Sequence, residues 1–525
     1  MTRLSSVLAM LRLSSVLVSL ALVACSDADL TPAPSAQGPY PLARSLAWVD
    51  SGMQRVVLLD ASASTPRIRA VDLPGAPGDA LIPLDRSRVV VPVPERELVV
   101  AVSDDGAATT RQWELGAPFD GVAVSDDGEA LVAYFKAGSS SGVFQNASAV
   151  AAIDATKAQG ADNPARRTVR SFGTAPDSVI VSPALTLGGV ERRVALVRSV
   201  SHLAVLDLSD AASRDVSVPL VTPDSSVAIV PDQVEFAAGP DALWVFLRAA
   251  ASPDIFALRI TARTDHVPGE DTASLAVSLN VFYSGLVPSQ MMLLAGGAAP
   301  RLLVVNQQSQ SAALIDAASA AVETVPLGAA VTSAVRTVGT ARDLVLLWDG
   351  AGALTTLRML DLDAHESGKG KVVTTIKIAK PVSAATPIEG RTQVVLTHKG
   401  AYDAYGWGDS PLSVLNLEDG SVTPFTGTGA LRGMVRAPSG PDLLIATVVE
   451  GEGWLVRLDL DTLHAKPMPL GSLPTSLALL PAAKRLVVDH GGSVGSVTLW
   501  AADKVEGEGA SVGGFLLDGI LDRED

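Results

Sequence analysis

One cysteine stands in 525 residues. No disulfide can form within the chain, so an exported fold of this size has to rest on its hydrophobic core. Histidine is nearly as scarce: His202, His266, His365, His398, His464 and His490 form no close pair at metal-ligand spacing. Neither a calcium-loop D-x-D-x-D-G run nor a phosphate-binding G-x-x-x-x-G-K-[ST] run occurs, and the reading expects no metal and no cofactor. Charged residues make up only 18% of the chain, acidic side chains dominate, and the net charge is −16. No block of basic residues offsets that balance, which argues against nucleic-acid binding. Aromatic residues are 4% of the chain. Past the first 25 residues, no apolar run approaches the roughly 20 residues needed to span a bilayer. What the chain does have is a 48% hydrophobic composition, which excludes general disorder and implies an extensive core.

The lone cysteine closes the sequence Leu22-Val23-Ala24-Cys25, behind a leader with Arg3 and Arg12 and an apolar stretch from Leu13 to Val23. That stretch has the length of a signal-peptide core of roughly 7–15 residues. Met10 opens a shorter leader that is complete by itself, leaving two candidate starts. The pattern resembles the lipobox of bacterial lipoproteins. The resemblance implies a signal peptide over 1–24, acyl chains on Cys25, and attachment to a membrane at about 0.8 kcal/mol per buried CH₂. Aspartate directly after the cysteine marks inner-membrane retention in enteric-type sorting. Here Ser26 follows and Asp27 comes one place later, so the resemblance favours the outer membrane. Residues 25–44 are polar and rich in Pro and Ala, and read as the lipidated cysteine plus a flexible tether.

From residue 45 to 525 the chain reads as short strands. Runs such as Arg193-Val-Ala-Leu-Val197 and Leu302-Leu-Val-Val305 are punctuated by Gly, Pro, Asp and Ser. One hairpin recurs about every 50 residues: an apolar strand ends in Asp60, Asp207, Asp316, Asp361, Asn416 or Asp459, and a turn and second strand follow. Weaker copies carry Ser103, Asp154, Arg259 and Trp500 at that point. The recurrent acid is read as a turn residue that accepts backbone N–H groups. Two further strands precede each hairpin, joined by a tight turn. The best example, Val124-Ser-Asp-Asp-Gly-Glu-Ala-Leu-Val-Ala-Tyr134, resembles the turn of YVTN/lactonase-like and WD40-like propellers. The resemblance implies an all-β fold, a β-propeller of four-stranded blades. Ten blade-like units are countable, as one large ring or two rings. The first unit lacks one strand, and Gly514–Leu521 is expected to supply it and close the ring.

Two long connections between second and third strands draw attention. Residues 399–409 hold Tyr402, Tyr405 and Trp407 among glycines, and residues 136–146 hold Phe144 beside a serine run. Aromatic residues on glycine-rich loops suit recognition of a partner. The expected function is a lipid-anchored, non-enzymatic envelope scaffold that binds a protein or glycan partner. The alternative is a propeller enzyme, lactonase-like or quinoprotein-like, whose site is gathered in the central channel. The absence of a distinct His/Glu/Arg constellation leans away from the enzyme.

Overall fold

The computed structural model describes residues 36–517, apart from 139–144, 222–227, 295–299, 338–341, 352–353, 399–411 and 426–428. These residues form ten antiparallel blades arranged in a ring, from Ala36–Asp72 in blade one to Ser476–Gly513 in blade ten. Nine blades have four strands in simple up-and-down order. The first strands of neighbouring blades lie against one another, which sets them innermost, around the central channel. No helix among the described residues is long and apolar enough to cross a membrane.

Burial explains why the repeat was visible in the sequence. The second and third strands of each blade are sandwiched between both neighbouring blades. In blade one, Ser45–Asp50 and Arg55–Asp60 are buried along their whole length. A strand covered on both faces reads as an unbroken Val/Leu run and not as an alternation. The fourth strands are the more exposed ones, as in Ala321–Pro326, where only Val325 is buried.

Ten separate hydrophobic clusters hold the molecule together, one at each blade junction. Val49 and Val56 of blade one pack on Val89 and Val100 of blade two. The series runs round to Leu444 and Met468 of blade nine against Leu486 and Trp500 of blade ten. The last junction joins Leu46, Trp48 and Leu59 of blade one to Leu480, Val487 and Phe515. Ten junctions for ten blades make one closed ring. Propellers more commonly have about 4–8 blades.

Closure differs from the expectation. Blade one is complete, because residues assigned to the tether form its inner strand: Ala36–Pro41 pairs with Ser45–Asp50. The segment after Gly513 adds no strand among the described residues. It inserts Phe515 and Leu516 between blades ten and one. Leu516 N donates to Val494 O of blade ten (3.0 Å), and Leu516 O accepts from Arg55 Nη2 of blade one (3.4 Å), while Ala482 N donates to Ala43 O (2.8 Å) across the same junction. Blade two also departs from the pattern. The strand expected over 79–84 shrinks to one bridge, Leu81 with Val90. Pro77 and Pro83 bracket this segment and lack the donors a longer ladder needs.

The recurrent turn acid does what its chemistry predicts. Ser62 N donates to Asp60 Oδ1 (2.9 Å), Ser209 N to Asp207 Oδ1 (2.9 Å), and Ala318 N to Asp316 Oδ1 (3.0 Å). Glu418 N donates to Asn416 Oδ1 (3.0 Å), and Asp461 N to Asp459 Oδ1 (2.8 Å). In blade seven the same position caps a short helix, Leu362–Ser367, through Ala364 N to Asp361 Oδ1 (2.9 Å). His365 stands in the turn of this hairpin. It lies in that helix, 3.0 Å from Glu323 Oε2.

Candidate functional site: an arginine-lined recess

The outermost strand of blade three, Ala165–Thr168, carries two consecutive arginines. Successive strand residues face opposite ways, and here they part. Arg166 reaches back to Gly116 O (Nη1, 2.9 Å), with its guanidinium 5.8 Å from the Phe119 ring centroid. Arg167 points toward blade four and donates Nη1 to Asp207 O (2.6 Å). Its Nε and Nη2 are buried without a hydrogen-bond partner. Burial pulls the Arg167 pKa below its usual value, and the charges of Asp207 and Asp210 oppose that pull.

Blade four carries an inserted hairpin, Leu185–Leu187 and Val190–Arg192. Its turn is Gly188-Gly189, with φ of +61° and +80°, a pairing that side chains tolerate poorly. The hairpin ends on Arg192, whose guanidinium pairs with the buried Asp207 carboxylate. Asp207 Oδ2 also accepts from Ser274 Oγ of blade five (2.8 Å), which in turn meets Ser213 Oγ (2.7 Å).

The floor is built by two turns between third and fourth strands, 208–215 in blade four and 263–274 in blade five. Arg214 grips Asp271 with two parallel bonds of 2.9 Å, and Arg170 Nη1 adds a third at 3.2 Å. The Arg214 contact, followed by Arg170 and working against partial desolvation, holds Asp271 down at about 2. Asp215 accepts from Arg170 N (3.0 Å) and Ser171 N (2.9 Å). His266 spans the two turns, with Nε2 2.7 Å from Asp210 Oδ2 and Nδ1 2.8 Å from Thr272 Oγ1.

Together these elements leave a cavity of about 350 Å³ lined by Arg166, Arg167, Arg170 and Arg214, with Asp215 and Asp271. Both carboxylates are already engaged, so positive charge is in surplus in a chain that is otherwise acidic. Such a recess is suited to an anion. The Asp210–His266–Thr272 chain has the order of a catalytic relay, but the His266 side chain is 3% exposed and both ring nitrogens are engaged. It staples the blade-five turn to blade four.

The residues picked out from the sequence fall elsewhere. Cys25, Phe144, Tyr402, Tyr405 and Trp407 all lie outside the described residues. The described strand Gln393–His398 ends at the margin of the undescribed residues 399–411. There, His398 Nε2 lies 2.6 Å from Ser413 Oγ, and burial pulls the His398 pKa down. Two stretches fit G-x-S-x-G spacing, Gly138–Gly142 and Gly491–Gly495. The second turns directly between two strands of blade ten, without the following helix that exposes a nucleophile. On the channel wall, Gln233 and Gln290 use their side-chain amides as strand mimics. Gln233 Nε2 and Oε1 bond Met291 O (2.6 Å) and N (2.9 Å). Gln290 does the same to Ala334 O (2.9 Å) and N (2.6 Å). Among the described residues no cluster of three or more His, Cys, Asp or Glu side chains is placed to hold a metal.

Sequence reasoning missed the recess. The available signal was the doublet Arg166-Arg167 with Arg170 close behind it, in a chain otherwise short of basic runs. Its meeting with Arg214 and Asp271 depends on three blades and was not readable.

No family model and no curated protein matches the chain. Several solved structures are similar. Dihydro-heme d1 dehydrogenase NirN in complex with DHE is 13% identical, over 94% of this chain and 82% of that one, with a TM-score of 0.39. The Dos1 propeller is 13% identical over 73% and 92%, with a TM-score of 0.37. Apo AztD from Citrobacter koseri is 11% identical over 71% and 93%, with a TM-score of 0.35.

Proposed function

We propose that the chain is a non-enzymatic binding propeller of the bacterial envelope, tethered to the outer membrane through acyl chains on Cys25, that holds the acidic group of an envelope glycan in the arginine recess. The observation that carries this reading is Arg167, a largely buried guanidinium with two donors unspent beside three further arginines. Buried donors left unspent are costly, and a carboxylate or phosphate in the recess offsets the surplus charge of the arginines that line it through charge-assisted bonds. The leader and Leu22–Cys25 support the anchor, and the position of Asp27 supports the outer membrane. A rigid ring on a short tether suits a protein that retains a ligand near a membrane.

Calorimetric titration of the full chain with galacturonate oligomers tests the recess, with neutral oligosaccharides of equal length as the control. Arg167→Gln is expected to weaken galacturonate binding by about tenfold, the worth of one hydrogen bond to a charged group. Equal affinity for acidic and neutral oligomers, or an unaffected Arg167→Gln protein, rejects the reading. Mass spectrometry of the mature N-terminus tests the anchor separately, by the acyl mass on Cys25.

A further inference from the structure

The ring has two unlike faces. In up-and-down blades the turns between first and second strands and between third and fourth strands share one face. The turns between second and third strands share the other with the connections from blade to blade. The first face is acidic all the way round. Every hairpin of third and fourth strands holds an Asp or Glu at or beside its turn, from Asp60 in blade one to Asp503 in blade ten. On the second face, eight described connections hold no Asp, Glu, Lys or Arg at all: 51–54, 73–78, 249–253, 284–287, 307–310, 327–332, 470–475 and 490–495. They fall in two sectors, one around blades ten and one, the other around blades five and six. In a ring of ten these sectors are half a turn apart.

Exposed apolar side chains follow the same division. Among the described residues, seven large ones stand on the second face and three, Leu84, Val190 and Val267, on the first. Met53, Leu473 and Val494 mark the sector of blades ten and one, and Leu286 and Val287 mark that of blades five and six. The chain also enters the ring on this face, because Ala36 pairs with Asp50 beside the 51–54 turn. Cys25 lies eleven positions before Ala36, at most about 40 Å of extended chain. A route from Ala36 to the acidic face spends about 20 Å of that on passing the length of a six-residue strand.

We propose, building on the Cys25 anchor argued above, that the second face rests on the lipid surface holding the acyl chains and that the acidic face is turned away from it. The acyl chains supply the attachment, and the two faces set the orientation. Anionic headgroups repel the ring of acids on the first face. The uncharged connections bring no such charge to the surface, and their apolar side chains gain contact at the boundary of headgroups and acyl chains. Contacts half a turn apart let a rigid disc lie flat, where a single contact at the tether would leave it to tilt. The short tether favours the same side, since it leaves the ring on the face that must meet the lipid.

The acylated full chain in phosphatidylcholine vesicles, with a nitroxide near the headgroup end of the acyl chains, tests this orientation. Cys25 is the only cysteine and acylation consumes its thiol, so one introduced cysteine alone takes a fluorophore. Labels at Val494→Cys and at Leu286→Cys are expected to be quenched several-fold more than labels at Leu84→Cys and at Val267→Cys. All four positions are exposed, and an unchanged melting profile confirms that the variants fold. Equal quenching on the two faces, or stronger quenching at positions 84 and 267, overturns the proposal and leaves the anchor standing. A chain without acyl mass on Cys25 that fails to float with the vesicles overturns the anchor, and this orientation with it. Val494→Asp combined with Leu286→Asp is expected to float as before and to lose quenching at a Met53→Cys label. Unchanged quenching there overturns the role given to the apolar contacts.

Discussion

Asp271 shows at the scale of one side chain how the recess is locked. Arg214 and Arg170 converge on its carboxylate from blades four and three, and their pull sets its pKa at about 2. An unfolded aspartate titrates near 3.9. The folded value is the lower one, so the contribution of this group to stability is complete above about pH 4 and fades as pH falls toward 2. The stability gap between wild-type protein and Asp271→Asn, read from urea unfolding, is therefore expected to stay constant from neutral pH down to about pH 5. Below about pH 4 it should shrink, and it should vanish only below pH 2. A gap of constant size at every pH contradicts the assignment of Arg214 and Arg170 as its source. Residue-level roles were partly legible in the sequence. The turn acids Asp60, Asp316 and Asp459 were readable because each bonds amides two or three places along the chain. Asp271 was not, because its partners lie 57 and 101 residues away.

At the scale of the blade, what the sequence hides is the inner strand. Second and third strands announce themselves through burial on both faces, but an inner strand borders the channel and needs no apolar pattern. Ala36-Gln-Gly-Pro-Tyr-Pro41 reads as a tether on composition, yet its pairing with the buried Ser45–Asp50 makes it a strand. Inner strands are instead fixed by how closely neighbouring blades approach, and Gly433 marks the tightest such place between blades nine and ten. A Cβ there would stand 2.7 Å from Leu477 Cβ and 2.9 Å from Leu477 N. The crowding atoms include backbone, so relief requires the blades to part. Gly433→Val is expected to cost about 1–3 kcal/mol of unfolding free energy, the range for overpacking a filled site. A Cβ at Gly471 meets open space, and Gly471→Val is the matched control. Equal unfolding midpoints for the two variants would show that the junction yields without strain.

For the whole molecule, the number of units was legible and their closure was not. Ten units were countable because each repeats a local hairpin. Whether they formed one ring depended on contacts between residues at opposite ends of the chain, such as the Trp48 and Phe515 rings with centroids 4.8 Å apart. The same distance in sequence hid the recess, whose arginines come from segments separated by other strands. A ring closed by packing has a testable weak point. Nine junctions join blades that are covalently consecutive, but the tenth has only side chains and a few backbone bonds to keep blade ten beside blade one. Phe515 is fully buried there, and Phe515→Ala is expected to cost about 3–5 kcal/mol. Phe246→Ala, in the junction of blades five and six, removes a side chain of the same size. The two losses should be similar in total and different in place. Opening at the closure needs no chain rearrangement, so Phe515→Ala should raise amide exchange first in Ala36–Asp50 and Ser476–Asp489, leaving the blade-five strands protected. Phe246→Ala should leave the blade-one and blade-ten amides at wild-type rates. If Phe515→Ala instead raises exchange evenly around the ring, closure is no weaker than any other junction, and the ten blades open as a single cooperative unit.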